Sequence, residues 1–207
     1  MLAQQLAQQL RHDISDALYA PGEQLQEVHV ASRYEVSRNT LREAFAVLAE
    51  KQLLERIPNR GVFIASPSIE SVRDLYQARL ALEPAALLWG AHRGPLSNLH
   101  NLRAIVDAAT RASAKEVGGL NQKFHRELVS SLGSSLLDQT MDNLLARMRL
   151  CFIKVLETEP DFHTDYVTFN AHIVDLLEDG DGDVAALEMR QSLTETCERI
   201  CTILDPN

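Results

Sequence analysis

Apolar residues recur along this chain with the period of a helix almost from end to end, and one short stretch in the first third departs from it. Leu6, Leu10, Ile14 and Leu18 share one face of a helix expected from about Leu2 to Leu18. Ala20-Pro21-Gly22 ends that helix, and Gln24-Leu25-Gln26 follows as a short extended segment. Val28, Ala31 and Val36 then alternate with Leu41, Ala44, Phe45 and Leu48, at spacings that close two short helices and a tight turn around one small core. Glu35 occupies the turn, where a left-handed backbone is common and glutamate tolerates it less well than glycine. From Leu53 to Ala65 the period shortens. Two β-prone runs flank Pro58-Asn59-Arg60-Gly61, the pattern of a hairpin suited to pair with the extended segment.

After a short linker, Ala65-Ser66-Pro67-Ser68, the helical period returns and predicts spans over 69–92, 97–113, 119–132, 135–157, 162–178 and 183–204. The breaks fall at Gly94-Pro95, Gly118-Gly119, Gly133-Ser134, Glu159-Pro160 and Asp179-Gly180-Asp181-Gly182. The expected fold is mainly α. Residues 1–66 form a winged helix-turn-helix with a small β-hairpin wing, and residues 67–207 form an antiparallel six-helix bundle.

The polar positions of the first region suggest a chemistry. Ser37 is placed to cap the second short helix, and Arg38, Asn39, Thr40 and Arg42 then crowd its N-terminal end and outer face. That end of a recognition helix meets base edges and phosphates in a major groove. Taken alone, the segment could equally be a capped helix with a solvated polar face. The hairpin directly after it is a wing, with Arg60 and Gly61 at its tip, where a small residue lets the backbone approach the sugar-phosphate chain. Arg33, Ser37, Arg38, Asn39, Thr40, Arg42, Arg60 and Gly61 are therefore the candidate DNA contacts.

Composition narrows the picture. A chain of 207 residues with 45% hydrophobic content is not largely disordered, and its net charge of −9 argues against coating nucleic acid by bulk attraction. Up to Ser66 there are 7 Lys+Arg against 8 Asp+Glu, and beyond it 13 against 21, so DNA contact must rest on a local arginine cluster. Cys151, Cys197 and Cys201 form no dense framework, and a reduced, cytoplasmic setting is expected. Cys197 and Cys201, four apart, are either small core residues or half of a metal site. No apolar run approaches the ~18 residues of a transmembrane helix, so no membrane partner is expected.

Within the bundle, polar residues interrupt apolar stripes. Arg79 and Glu83 lie on the stripe of Ile69, Val72, Tyr76, Leu80 and Leu87, where they either satisfy each other or leave Arg79 to hold an effector carboxylate. Asn121 and His125 sit among Leu120, Phe124, Leu128 and Leu132. His172 flanks Phe162, Tyr166, Phe169, Ile173 and Leu176, and two inward histidines suggest a shared cavity.

Pro21-Gly22-Glu23-Gln24-Leu25, Val36-Ser37-Arg38-Asn39-Thr40-Leu41-Arg42-Glu43-Ala44 and Pro58-Asn59-Arg60-Gly61 together resemble the head of the GntR family of bacterial transcription regulators. Ala78 to Ala86, Phe124-His125-Arg126-Glu127-Leu128 and Asn170-Ala171-His172-Ile173-Val174 resemble the ligand-binding FCD domain of its FadR subfamily, in the six-helix branch. The resemblance implies an effector-responsive regulator of repressor type, not an enzyme, that binds a short inverted-repeat operator in double-stranded DNA as a homodimer. It also implies that a small carboxylate metabolite is sensed in the helical domain by Arg79, Asn121, His125 and His172. Many members of the family hold a divalent metal there through one Asp and three His. Here those positions map to Asn121, His125, His172 and about Ser192, a degenerate set that weakens any site for zinc, nickel or manganese. Two readings remain beside the regulator: a metal-dependent hydrolase centred on His125 and His172, and an architectural DNA-binding protein without an effector.

Overall fold

A computed structural model of the chain describes residues 2–93 and 98–205. Among these lie nine α-helices and three short strands: α1 Leu2–Ser15, β1 Gln24–Leu25, α2 Glu27–Arg33, α3 Arg38–Glu50, β2 Leu54–Ile57, β3 Gly61–Ile64, α4 Ile69–Arg93, α5 Leu99–Ala109, α6 Ala114–Ser130, α7 Ser135–Thr158, α8 Asp165–Asp179 and α9 Gly182–Leu204. The break expected at Gly94-Pro95 lies outside the described residues. The chain divides into two compact units, one of residues 1–68 with 146–154, the other of 69–145 with 155–207.

The first unit is the winged helix-turn-helix. Its core gathers Leu10 and Ile14 from α1, Val30 and Ala31 from α2, Leu41, Phe45 and Leu48 from α3, and Ile64 from the sheet. Leu150 of α7 also belongs to it. The sheet is antiparallel in the order β1-β3-β2, with Leu25 opposite Val62 and Arg56 opposite the same residue. Two apolar positions differ from the sequence pattern. α1 stops at Ser15 because Ala17 turns left-handed (φ 59°), which leaves Leu18 exposed and Tyr19 buried in its stead. Val28 is 61% exposed, since α2 begins at Glu27 and turns Val30 and Ala31 inward. Glu35 does adopt the left-handed backbone of the inter-helix turn (φ 53°).

In the second unit α4 packs lengthwise on α9, while α5 packs on α6 and α8. α6 begins upstream of the expected break at Gly118-Gly119. Ser113 and Glu116 form a capping box that starts the helix at Ala114, and the helix then runs through both glycines. α8 starts at Asp165, leaving Phe162 and His163 in turns that are nevertheless buried. Cys197 and Cys201 are buried and unbridged, and burial pushes the Cys197 thiol up to about 11, the behaviour of a core residue.

Candidate functional site

The exposed polar face of the first unit begins at Ser37. Its backbone is extended (φ −68°, ψ 150°) and its Oγ accepts from the Thr40 amide at 3.1 Å, satisfying one of the free N–H groups of the first turn of α3. Leu41, Ala44, Phe45 and Leu48 are buried on the inner side of α3, so the helical period turns Arg38, Asn39 and Arg42 to solvent, with Thr40 partly covered. Asn39 Nδ2 donates to Glu43 at 2.9 Å, and Arg56 of β2 donates to the Arg42 carbonyl at 3.2 Å. Arg33, in the last turn of α2, holds its guanidinium 5.6 Å from the Tyr19 ring centre and 5.8 Å from that of Tyr34.

At the wing tip the Arg60 guanidinium lies 5.6 Å from the Phe63 ring centre, and the Arg60 carbonyl accepts from Gln24 Nε2 at 2.7 Å. Gly61 is needed for two reasons: its φ is +109°, and a Cβ there would come within 3.2 Å of Gln24 Nε2. One participant was not legible in the sequence. Glu27, the first residue of α2, reaches across to Arg42 and Arg38 on α3, 15 and 11 residues further along the chain. No local pattern signals a contact of that range.

In the helical unit the polar residues are largely occupied with one another. Arg79 Nε donates to Glu83 at 2.6 Å and His125 Nδ1 lies 2.7 Å from the other Glu83 oxygen, with Arg79 and His125 buried and Glu83 wholly so. Burial disfavours the Glu83 anion, but Arg79 and His125 outweigh it and hold the carboxyl down at about 2. Burial also lowers His125, against the pull of Glu83, so the imidazole is neutral and its Nδ1–H is the donor to the ionised acid. The mutual pairing considered for Arg79 and Glu83 is thus the observed arrangement.

His172 is placed differently from expectation. The buried side of α8 is centred on Asn170, Ile173 and Val174, which rotates His172 outward, where its Nε2 lies 2.9 Å from a Glu188 carboxylate oxygen at the surface. It does not share a cavity with His125. Asn121 instead meets Asn170, whose Nδ2 donates to the Asn121 Oδ1 at 2.7 Å. These two amides line a narrow cleft between α5, α6 and α8, open to solvent on one side and with an enclosed volume of about 10 Å³, room for about one water molecule. Val106, Leu120, Phe124 and Val167 supply apolar walls and His163 a further polar edge. Asn170 and His163 escaped the sequence reading because the inward stripe of α8 was taken one residue out of phase, and because His163 precedes the helix.

The donor set inferred for a divalent metal does not fit one. Asn121 is engaged by Asn170 and His172 by Glu188 through its Nε2, and no group of three His, Cys, Asp or Glu among the described residues converges on a common point.

The sequence matches two family models, the bacterial regulatory proteins of the gntR family over residues 2–64 and the FCD domain over residues 74–195. It is 32% identical to the HTH-type transcriptional repressor RspR of Escherichia coli K12, over 99% of this chain and 91% of that protein. The chain belongs to the GntR family. This GntR-family regulator is also 27% identical to the Nta operon transcriptional regulator of Aminobacter aminovorans, over 90% of this chain and 88% of that one. A Rhodococcus sp. RHA1 structure described as a GntR transcriptional regulator superposes with a TM-score of 0.86 at 31% identity, covering 96% of each chain. The fold of Escherichia coli McbR/YncC is similar too, with a TM-score of 0.74 at 19% identity over 96% of this chain and 98% of that one. The gntR family and the relatives RspR and the Nta operon regulator are transcription regulators, which removes the hydrolase reading. No helix among the described residues of the regulator is long and apolar enough to cross a membrane.

Proposed function

We propose that this GntR-family regulator is a repressor that binds a short inverted-repeat operator as a homodimer and releases it when a small molecule enters the helical unit. The observation that carries the DNA reading is the capped end of α3, where Ser37 fixes the backbone and Arg38, Asn39 and Arg42 face solvent beside a wing tipped by Arg60 and Gly61. A single head makes few contacts, and two-fold symmetry of a dimer matches palindromic DNA, so pairing of two chains doubles the reading surface. The relative RspR is a repressor by name, which favours that sign.

For the effector, the cleft beside Asn121 and Asn170 is the better location than the Arg79 layer. Arg79 is buried and already shares its Nε and Nη2 edge with Glu83, so a carboxylate could reach only its Nη1 side, deep among packed helices. Among the described residues no lysine or arginine lines the cleft, which must widen to admit more than a water, so a small uncharged ligand with one or two hydrogen-bonding groups suits it better than the organic acid expected from the family resemblance. Two measurements on the full-length protein test this: anisotropy titration of a duplex selected from a random pool, and thermal shift with matched pairs such as benzamide against benzoate. The amide should raise the melting temperature and weaken operator binding, and Val167→Phe should abolish both effects. A response to benzoate that disappears in Arg79→Lys would return the carboxylate to Arg79. An operator affinity indifferent to every small molecule would favour the architectural reading.

A further inference from the structure

An acid stands on the face that is to meet phosphate. Glu27 accepts from Arg42 Nε with both oxygens, at 2.9 and 3.1 Å, and pairs with Arg42 Nη2 at 2.9 Å. The same carboxylate lies 3.5 Å from Arg38 Nη2. Glu27 is the only described acid paired with either arginine, and it comes from α2, whereas both arginines come from α3. A carboxylate here repels the DNA backbone, which by itself would weaken binding to every sequence alike.

The geometry points to a compensating role: we infer that Glu27 is a positioning residue that makes Arg42 and Arg38 selective for base edges over phosphate. This rests on the proposed role of α3 as the reading helix. The carboxylate occupies the Nε–Nη2 edge of the Arg42 guanidinium, leaving the Nη1 side and one Nη2 hydrogen pointing away from it. That free end still offers two parallel donors, the arrangement that fits the O6 and N7 acceptors of guanine. A long arginine otherwise samples many rotamers and finds a phosphate as easily as a base, because phosphates line every register of the duplex. Held by Glu27, Arg42 loses part of that freedom, and its remaining donors are aimed. Arg38 is held more loosely, by one nitrogen. Arg42, and to a lesser degree Arg38, pull the Glu27 carboxyl below its ordinary range, so at neutral pH it is the anion that faces the two guanidinium groups.

Two consequences separate this role from simple bracing of the head. Removing the charge should strengthen binding to random DNA, since a repulsive group is gone, and should relax the choice among sequences, since the arginines are no longer aimed. The test uses full-length Glu27→Gln and wild-type protein, with the duplex recovered by selection on the wild type and a random duplex of equal length, titrated over a range of salt concentrations. The ratio of specific to random affinity should fall by about tenfold, the scale of one aimed base contact, with random binding tighter than in wild type. Repeating the selection on Glu27→Gln should yield a consensus relaxed at one or two positions per half-site. In an Arg38→Ala/Arg42→Ala background, Glu27→Gln should leave the ratio unchanged, whereas an effect through folding would persist there. Circular dichroism and melting temperature report whether each variant is folded, and Glu27→Asp, which keeps the charge but shortens the reach, should fall between the two.

An unchanged ratio in a folded Glu27→Gln, or an equal effect in the double-arginine background, overturns the inference while leaving the regulator reading in place. A wild-type protein with no preference for any selected duplex overturns both.

Discussion

Each unit of this protein contains a glutamate shared between two basic side chains, and the two clusters behave as opposites. Glu27 serves Arg42 and Arg38, whose side chains are 57% and 61% exposed. Glu83 serves Arg79 and His125, whose side chains are 5% and 9% exposed. The principal contacts are shorter around Glu83, 2.6 and 2.7 Å against 2.9 to 3.5 Å around Glu27, but the larger difference is solvent. In water an ion pair adds little to stability, so Glu27 can hold one edge of each guanidinium while the exposed end of the arginine stays available to DNA. In the bundle the same pairing is surrounded by low-dielectric protein, and separating it strands a charge. Identical chemistry thus gives a binding surface in one place and a fixed internal strut in the other.

The comparison can be broken by truncating each acid. Glu83→Ala should lower the unfolding free energy by roughly 3–5 kcal/mol in urea titration, because Arg79 is left buried without its partner, whereas Glu27→Ala should stay within about 1 kcal/mol of wild type. Equal losses from the two would show that exposure does not separate them. The next effect concerns acid. An unfolded chain protonates the His125 position near 6.5 while the buried imidazole takes up its proton only at lower pH, so stability declines as pH drops below that value. Glu83 then adds to the decline between about 4.5 and about 2, since the unfolded carboxyl takes up its proton first; the part due to Glu83 is at most about 3 kcal/mol. Stability measured against pH should therefore have an acid limb that Glu83→Gln flattens below 4.5, and a limb of unchanged slope in that variant would sink the assignment.

On the exposed side, Arg38→Ala should leave stability unchanged and reduce operator affinity by roughly 1–3 kcal/mol, with looser preference at one position of each half-site. Loss of affinity that is uniform across sequences would instead make Arg38 a phosphate contact. The smallest effect belongs to Gly119, exposed in mid-α6 with open space where a Cβ would stand. Gly119→Ala should stabilise the chain by about 0.5–1 kcal/mol in thermal unfolding, a gain available only because no neighbour crowds the site.

The winged head was legible because its signals are local. Ser37 three residues before Thr40 is a cap whose bond needs no tertiary partner, and Pro58-Asn59-Arg60-Gly61 makes a turn whose left-handed Asn59 (φ 61°) and Gly61 are written in residue type. Helix α7 was legible for the same reason, since Ser134 caps it and Glu159-Pro160 closes it. The bundle's polar interior was less so. His172 and Asn170 are two residues apart on α8, about 200° around the helix, so when one faces inward the other faces solvent. Arg79 and Glu83 were recognisable as possible partners by their spacing of four, but His125, on a different helix, completes the cluster.

Residue order alone determined the family and the exposed arginines of α3, because caps, turns and helical period act within a few residues; that residues 146–154 of α7 join the unit of the head was not written there. Which charged groups are free and which are spent on each other was decided only when α2 met α3 and α4 met α6. The strength of a charge depends on the water around it, and the chain does not control that water until distant segments have closed over it or left it open.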